Sequence, residues 1–318
     1  MGVSMNRGKV GIIGAGFVGA STAYTLAMLG IAREIVLYDI IADVAIGKAI
    51  DIGQATNFSS KSTVVNYAIE PKNMVGCDIV VVTAGVPRKD GMSRSDLLMI
   101  NAKIVKEITN NINRYSPEAI IICVSNPLDV MTYLMHHISG LGRDRVIGMA
   151  GALDGARMAH YIAQKSSVNS SKVDAMVLGE HGDNMTPYIK GSSISGIPIS
   201  QFIGASDIED IIEDTQKGGA TIVQHLGTSA YYAPARAISA MVEAILDDSK
   251  MIISSSVVLD GEYGYKDTTL GVPVILGKNG VEEIIELDLD SDTKAKLDKS
   301  VSSIQENIEI LKSNGIFG

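Results

Sequence analysis

Short apolar runs alternate with helical patterns through the first half of the chain. Nearly continuous apolar stretches, such as residues 77–83 and 119–124, are typical of parallel strands that are covered on both faces. Between them, apolar positions recur at the spacing of amphipathic helices, as in residues 44–55 and 95–114. Strands that alternate with helices in this order predict an α/β fold with a doubly wound parallel sheet of the Rossmann type.

The strict alternation ends near residue 150. The patterns that follow are a helix at 153–165, a strand at 173–178, turn-rich strand-like sequence at 188–199, helices at 206–216 and 217–247, strands at 251–259 and 273–276, and a closing helix at 291–313. This mixture predicts an α+β domain that covers the first domain and completes a pocket. We therefore expect a doubly wound domain at residues 1–149 and an α+β substrate domain at 150–318.

A glycine-rich turn stands between the first strand pattern and the first helix pattern. It consists of Gly14, Ala15, Gly16, Phe17, Val18 and Gly19, and the next strand ends on Asp39. The three glycines permit a tight bend, close approach to a pyrophosphate, and close packing of helix on strand. Asp39 can accept hydrogen bonds from a ribose diol and would repel a 2′-phosphate, which favours NAD over NADP. The alternative is a strand-turn-helix unit without a ligand.

Two other strand ends carry polar side chains, and ligands of such sheets bind at the carboxyl ends of the strands. Residues 84–94 form a loop with glycines, a proline and two arginines, Arg88 and Arg94, which suits a mobile lid with positive charge. Asn126 follows the strand at 119–124 and offers an amide at the same rim. Solvated loop charges are the alternative reading of the two arginines.

His181 is the best candidate for a proton donor and acceptor among the five histidines. The other four lie in helical patterns, whereas His181 stands in a glycine-flanked turn directly after a strand. Reduction of a carbonyl leaves an alkoxide, and an imidazole can supply its proton near neutral pH. Asp154 could fix the imidazole, and Arg157, three residues further on the same helix, could bind a substrate carboxylate with its planar fork. A purely structural Asp–Arg pair is the alternative.

Composition narrows the classes of partner. The chain has 318 residues and a formal net charge of −9, so its overall field repels nucleic acid and anionic membranes. Its apolar runs are shorter than a membrane span. We expect a cytoplasmic protein without a metal site that binds neither nucleic acid nor membrane, and an anionic substrate would need locally placed arginines.

Together these segments resemble the lactate/malate dehydrogenase superfamily along nearly the whole chain. The matching segments are 14–19 with Asp39, 86–98, 124–127, 153–157 and 179–183. The resemblance implies that His181 exchanges the proton, Asp154 orients it and Arg157 holds the substrate carboxylate. It further implies the following roles: Arg94 polarises the carbonyl when the lid closes, Asn126 contacts substrate and cofactor, and Asn101, Val124 and the glycine turn bind NAD. A homo-oligomer, usually a tetramer and sometimes a dimer, is also implied.

Arg88 separates the branches of that family. Lactate-type members typically carry Gln at the matching position, whereas the malate-type lid reads Pro-Arg-Lys, as residues 87–89 do here. An arginine supplies a countercharge for the second carboxylate of malate or oxaloacetate, and pyruvate would leave it unpaired. The sequence therefore predicts a dicarboxylate substrate. A lactate or other 2-hydroxy-acid dehydrogenase, and a non-catalytic NAD-binding sensor, are the alternatives.

Overall fold

The computed structural model describes residues 7–59, 61–87 and 91–317. Its strands, in chain order, are β1 (Lys9–Ile13), β2 (Glu34–Tyr38), β3 (Val64–Ala68), β4 (Ile79–Val82), β5 (Ile120–Cys123), β6 (Val146–Gly148), β7 (Val173–Asp174), β8 (Val177–Leu178), β9 (Thr186–Pro187), β10 (Ser193–Ile194), β11 (Ile197–Pro198), β12 (Met251–Asp260), β13 (Lys266–Gly277) and β14 (Gly280–Ile284). Its helices are α1 (Phe17–Leu29), α2 (Ala42–Ala55), α3 (Arg94–Tyr115), α4 (Leu128–Ser139), α5 (Ala150–Ser166), α6 (Ala205–Leu226), α7 (Tyr232–Leu246) and α8 (Ser291–Ser313).

The largest sheet within these ranges has nine strands, in the order β14-β13-β12-β6-β5-β4-β1-β2-β3. The strands from β6 to β3 are parallel, and β12 to β14 extend the sheet as antiparallel neighbours. The strand order reverses between β1 and β4, which is the position where open α/β sheets bind ligands. The prediction of a doubly wound Rossmann sheet followed by an α+β domain is confirmed.

The inner strands are apolar on both faces because helices cover both sides of the sheet. All residues of β4 and β5 are buried, as expected for parallel strands in the middle of such a sheet. Burying this much apolar surface is the main source of stability for a domain of this kind. The resulting rigid layer fixes the positions of the turns that follow β1, β4 and β5.

The second half differs from its sequence pattern in three places. The pattern predicts a helix break between residues 216 and 217, whereas α6 continues to Leu226 and ends at Gly227, whose left-handed φ of 68° terminates a helix. The strand predicted at 273–276 is the end of the much longer β13, whose pairing with β12 outweighs its weak local pattern. The sequence also predicts one strand at 173–178, but β7 and β8 belong to two different small sheets.

The large sheet runs across the predicted domain boundary. Ser256 on β12 pairs with Gly148 on β6, so a strand of the second half is bonded directly to the parallel sheet. The division at residues 149 and 150 stays a prediction. In the described ranges, none of the helices is long and apolar enough to cross a membrane. The same ranges contain no group of three or more His, Cys, Asp or Glu side chains suited to hold a metal.

Candidate active site

The glycine turn, residues 14–19, is held by both strands that flank β1. Gly14 has a φ of 103°, and its N–H donates to the Tyr38 carbonyl at 2.8 Å. Thr83, at the end of β4, donates from Oγ1 to the Gly14 carbonyl at 2.9 Å. A Cβ on Gly19 would lie 1.8 Å from the Gly14 oxygen, so glycine is required for α1 to start this close to β1. These observations agree with the roles expected of Gly14 and Gly19.

Gly16 faces open space at the start of α1. It is the extended N-cap residue of α1 and is exposed, and no described atom lies within 4 Å of a Cβ placed there. The helix end presents main-chain N–H groups and its positive dipole, and the described first turn contains no acidic residue. The next residue, Phe17, stacks on Tyr231 with ring centroids 5.2 Å apart. This cradle fits the pyrophosphate of a dinucleotide.

Asp39 braces the glycine turn from the end of β2. Its Oδ2 accepts a hydrogen bond from the Ala15 N–H at 2.7 Å, and its Oδ1 accepts from the Ile41 N–H at 2.9 Å. The carboxylate is only partly buried, so it can still accept bonds from a ligand hydroxyl. Its contact with a ribose stays a prediction, but its bond to Ala15 is a second role that the sequence pattern did not indicate.

Asn101 joins the lid to the strand-end turn that contains Asn126. Its side chain is 2% exposed, and its Oδ1 accepts from the Val86 N–H at 2.9 Å. Its Nδ2 donates to the Val86 carbonyl at 3.2 Å and to the Asn126 carbonyl at 2.8 Å. Asn126 itself is exposed, and the neighbouring Val124 is half-buried. The buried amide of Asn101 therefore links the lid to the turn of Asn126, which was predicted to contact substrate and cofactor.

His181 and Arg157 share one buried carboxylate, that of Asp154. The Nδ1 of His181 lies 2.8 Å from Asp154 Oδ2, and Arg157 Nη1 donates to Asp154 Oδ1 at 2.9 Å. The Asp154 side chain is 2% exposed, whereas those of His181 and Arg157 are 18% and 14% exposed. We call these three residues the His181 cluster. The structure thus brings together three residues that the sequence places on α5 and on a turn after β8.

The turn that carries His181 is hydrogen-bonded to β13. Gly179 and Gly271 exchange two main-chain hydrogen bonds, at 2.9 and 3.1 Å. A Cβ on Gly271 would lie 2.5 Å from the Gly179 carbonyl oxygen, so the close approach depends on glycine. Because the main chain on the N-terminal side of His181 is fixed in this way, the imidazole has a defined direction toward α5.

The surroundings of His181 raise its pKa. Burial acts in the opposite sense, since it disfavours the charged imidazolium, and the charge of Arg157 also opposes it. The charge of Asp154 and its hydrogen bond, together with the charge of Asp129, outweigh both effects. The imidazole is therefore better able to hold a proton at neutral pH than a free histidine.

Arg157 has donors left after it binds Asp154. Its Nε is buried and has no hydrogen-bond partner among the described residues, an arrangement that costs free energy unless a ligand is present. Gly218 and Gly219 on α6 lie beside the Arg157 side chain. A Cβ added to either glycine would lie 3.6 Å from an Arg157 atom, so α6 packs closely against this side chain. A carboxylate would satisfy the remaining donors.

Arg94 forms an ion pair with Asp183 of the His181 turn. It is the first residue of α3 and follows the N-cap residue Ser93, which forms a capping box with Asp96. Its Nη2 lies 3.2 Å from Asp183 Oδ2, and the two side chains are 82% and 85% exposed. The predicted role of Arg94 at the substrate carbonyl stays a prediction. Arg88 lies outside the described residues.

Asp129 is a neighbour of His181 that the sequence analysis did not select. It is 2% exposed, and its Oδ2 accepts a hydrogen bond from the His181 main-chain N–H at 2.8 Å. A signal for it exists in the sequence, since it is an acidic residue flanked by Leu128 and Val130 in an otherwise apolar helix pattern. A carboxylate in that setting needs buried donors, which makes it a candidate for a site.

Known protein families and structures resemble this chain. The family model for the lactate/malate dehydrogenase NAD binding domain matches residues 8–148, which supports a nicotinamide dinucleotide cofactor. The family model for the lactate/malate dehydrogenase alpha/beta C-terminal domain matches residues 151–314. A malate dehydrogenase of Sulfurimonas denitrificans is 52% identical over 98% of this chain and 99% of its own length. The malate dehydrogenase structure of Cryptosporidium parvum has a TM-score of 0.93 at 40% identity, covering 96% of this chain and 99% of the other. The lactate dehydrogenase structure of Eimeria maxima with NADH and oxamate has a TM-score of 0.92 at 35% identity, covering 99% and 98%. The resemblance predicted from the sequence is confirmed, and the chain belongs to the lactate/malate dehydrogenase family.

Proposed function

We propose that this chain is an NAD-dependent malate dehydrogenase that interconverts (S)-malate and oxaloacetate. The observation that carries the proposal is the bridge that Asp154 makes between His181 and Arg157. It places a proton donor beside a cation with unused donors, as the reduction of a keto acid requires. Curated relatives named malate dehydrogenase, at up to 52% identity, support the choice of substrate.

His181 would exchange the proton through Nε2, because Asp154 already occupies Nδ1. NADH, held at the glycine turn of residues 14–19, would supply a hydride to the ketone carbon, and the C=O π electrons would pass to the oxygen. That oxygen takes the proton from Nε2, which leaves a neutral imidazole and the hydroxyl of malate. Oxidation of malate reverses each step, with His181 as the acceptor. Asp154 stabilises the imidazolium and fixes its orientation throughout.

The two carboxylates of the substrate would be held by Arg157 and Arg88. The unpartnered Nε of Arg157 supports the first contact. The second rests on the sequence of the lid, where Arg88 stands in a malate-type motif. Arg94 would leave Asp183 and polarise the ketone as the lid closes over the substrate. Asp39 favours NAD over NADP, since its carboxylate would repel a 2′-phosphate.

A homo-oligomer, a tetramer or a dimer, belongs to the same proposal. Large apolar side chains are exposed on α1, α2 and α7, among them Leu29 (46%), Ile50 (52%) and Tyr232 (73%). Exposed apolar side chains of this size are enriched where a protein binds a partner. Sedimentation equilibrium would measure the state directly. The expectation of a cytoplasmic protein stays a prediction.

The decisive experiment is NADH oxidation, followed by absorbance, with oxaloacetate and pyruvate at matched concentrations. We expect a strong preference for oxaloacetate, and we expect Arg88→Gln to reduce it by ~10²-fold or more, because the variant leaves one substrate carboxylate without its countercharge. Arg114→Gln, at an exposed arginine near the end of α3, is the matched control and should leave the preference unchanged.

The possible results separate the candidate functions. Preference for pyruvate in the wild type would favour a lactate-type enzyme, to which the Eimeria maxima structure also belongs. Binding of NADH without turnover of either keto acid would favour a sensor. An oxaloacetate to pyruvate ratio that Arg88→Gln does not change would contradict the assigned role of Arg88.

A further inference from the structure

A second buried carboxylate lies against the His181 turn. Asp129, in the first turn of α4, accepts hydrogen bonds with both oxygens. Oδ2 accepts from the His181 main-chain N–H at 2.8 Å, and Oδ1 accepts from Ser256 Oγ at 2.6 Å. An ionised carboxylate is an acceptor only, so two donors on two oxygens suit the charged form.

Asp129 joins three elements at this point. Ser256, which holds its carboxylate, is on β12, and Thr269 on β13 donates from Oγ1 to the Asp129 carbonyl at 2.8 Å. All three side chains are buried. Asp129 also follows Asn126 by three residues, so the same helix start carries a predicted substrate contact and the anchor of the histidine turn.

We propose that Asp129 is a positioning residue, which holds the main chain of His181 and, as a second negative charge, favours the protonated imidazole for the transfer step. Asp154 binds the ring and Asp129 binds the main chain, so His181 is fixed at two points by carboxylates from different helices. The inference rests on the proposed function, because it assigns a role in the same proton transfer.

Opposing effects act on the Asp129 carboxyl. Burial raises its pKa above the ordinary value, and the hydrogen bonds from Ser256 and from the His181 N–H favour the ionised form without outweighing burial. The charge of Asp129 acts on His181 in the same direction as Asp154 and against burial and Arg157. Among the described residues, the charged groups that face the imidazole or its turn are Asp154 and Arg157 from α5, Asp129 from α4, Arg94 from α3 through Asp183, and Glu180 and Asp183 from the turn itself.

Asp129→Asn is the variant that tests the charge. Asparagine has the same shape, can accept from the His181 N–H with its oxygen, and can donate to Ser256 Oγ with its amide. We expect the pKa of the His181 imidazole to fall by ~0.5–1 unit. We also expect kcat to fall by ~10-fold with KM for oxaloacetate within ~3-fold, because substrate binding does not use Asp129.

Two pH profiles distinguish this role from a structural one. Oxaloacetate reduction needs a protonated imidazole, so its activity is lost as pH rises through the His181 pKa. Malate oxidation needs a neutral imidazole, so its activity is gained as pH rises through the same pKa. A lower pKa moves both limbs to lower pH. Damage to the fold would lower both maxima and leave both limbs in place.

Glu180→Gln is the matched control. Glu180 is a partly buried carboxylate beside His181 in sequence, but it accepts from Asn184 and Ser303. Neutralising it should leave the two limbs in place. If Glu180→Gln moved them as far as Asp129→Asn does, the effect would be a general loss of negative charge and the proposal would be overturned.

NMR titration measures the pKa of the His181 imidazole without substrate, and the His181 signal is assigned as the one that disappears in His181→Gln. This measurement separates the inference from the proposed function, because the pKa can be measured even if the wild type turns over neither keto acid. An unchanged imidazole titration in Asp129→Asn would overturn the proposal. Should that variant fail to fold, Ser256→Ala is expected to move the titration by less in the same direction, because a carboxylate with one donor fewer takes up a proton more readily. No shift there would equally overturn it.

Discussion

The glycine turn and the His181 cluster are two halves of one site, but the protein builds them differently. The glycine turn would bind its ligand through main-chain groups, and at Gly16 no side chain blocks the approach of the ligand. The His181 cluster is made of three side chains, of which two bind the buried carboxylate of the third. The first offers N–H groups and a helix dipole, and the second offers a titratable group and a cation. Binding and chemistry are thus assigned to different kinds of structure.

This difference has a consequence for substitution. A main-chain site fails when a side chain is added, because the added atoms occupy the space of the ligand or of the fold. A side-chain site fails when a group is removed, because its partners are left buried and unpaired. Variants in the two regions should therefore separate cofactor binding from proton transfer.

The largest effect is expected for Asp154→Asn, which should break the His181 cluster and spare the glycine turn. The variant loses the charge that favours the imidazolium and can present an amide N–H to Nδ1, which disfavours the required tautomer. We expect kcat for oxaloacetate reduction to fall by ~10²–10⁴-fold. Steady-state kinetics measures this, while fluorescence titration should show an NADH Kd within ~3-fold of wild type.

The control for that experiment is Asp214→Asn, at an exposed aspartate of α6. It should leave kcat unchanged. A large loss of NADH affinity in Asp154→Asn would contradict the comparison, because the two halves of the site would then not be separable.

The same difference explains what the sequence could predict. The glycine turn is a local motif, so Gly14, Gly16 and Gly19 could be assigned from their spacing, and the doubly wound sheet followed from apolar runs that are each a few residues long. The His181 cluster joins residues 27 positions apart, so its members could be proposed from their chemistry and the family resemblance, but its geometry depends on packing between α5 and the turn after β8. Asp129 and Ser256 are 127 positions apart, and spacing along the chain carries no information about such a contact.

Long-range pairing also explains the errors in the second half. The sequence pattern divides residues 206–247 between 216 and 217, next to Gly218 and Gly219, and each glycine disfavours a helix interior by ~1 kcal/mol. In the structure α6 continues through both, and a Cβ at either position would lie 3.6 Å from an Arg157 atom, so small residues leave room for that side chain. The packing of α6 against α5 outweighs the local preference of glycine.

An intermediate effect is expected in the glycine turn, where two matched variants should separate stability from binding. Gly19→Ala places a Cβ 1.8 Å from the Gly14 oxygen, so the turn must shift, and the free energy of unfolding should fall by ~1–3 kcal/mol. Gly16→Ala meets no described atom within 4 Å, so its stability should stay within ~1 kcal/mol of wild type.

Gly16→Ala should instead raise the Kd for NADH by ~10-fold or more, because its methyl group occupies the space of the pyrophosphate. Urea unfolding measures the stability of both variants, and fluorescence titration measures the binding. Unchanged NADH affinity in Gly16→Ala would remove Gly16 from the proposed cofactor site, even if the turn itself is confirmed by the loss of stability in Gly19→Ala.

The smallest effect is expected for Asp183→Asn, which tests the exposed side of the His181 turn. Asp183 pairs with Arg94 at 3.2 Å, and Arg94 must leave this partner to reach the substrate carbonyl in the proposed closure. Exposed pairs contribute little, so we expect KM for oxaloacetate to fall by only ~2–5-fold, and the difference from wild type to vanish in high salt. Asp207→Asn, which breaks the 2.8 Å pair between Asp207 on α6 and Lys165 on α5, is the matched control and should leave KM unchanged. A rise in KM for Asp183→Asn would mean that the Asp183 carboxylate supports the closed lid. The exposed Asp183 would then contribute to substrate binding, as the buried residues of the His181 cluster are proposed to do.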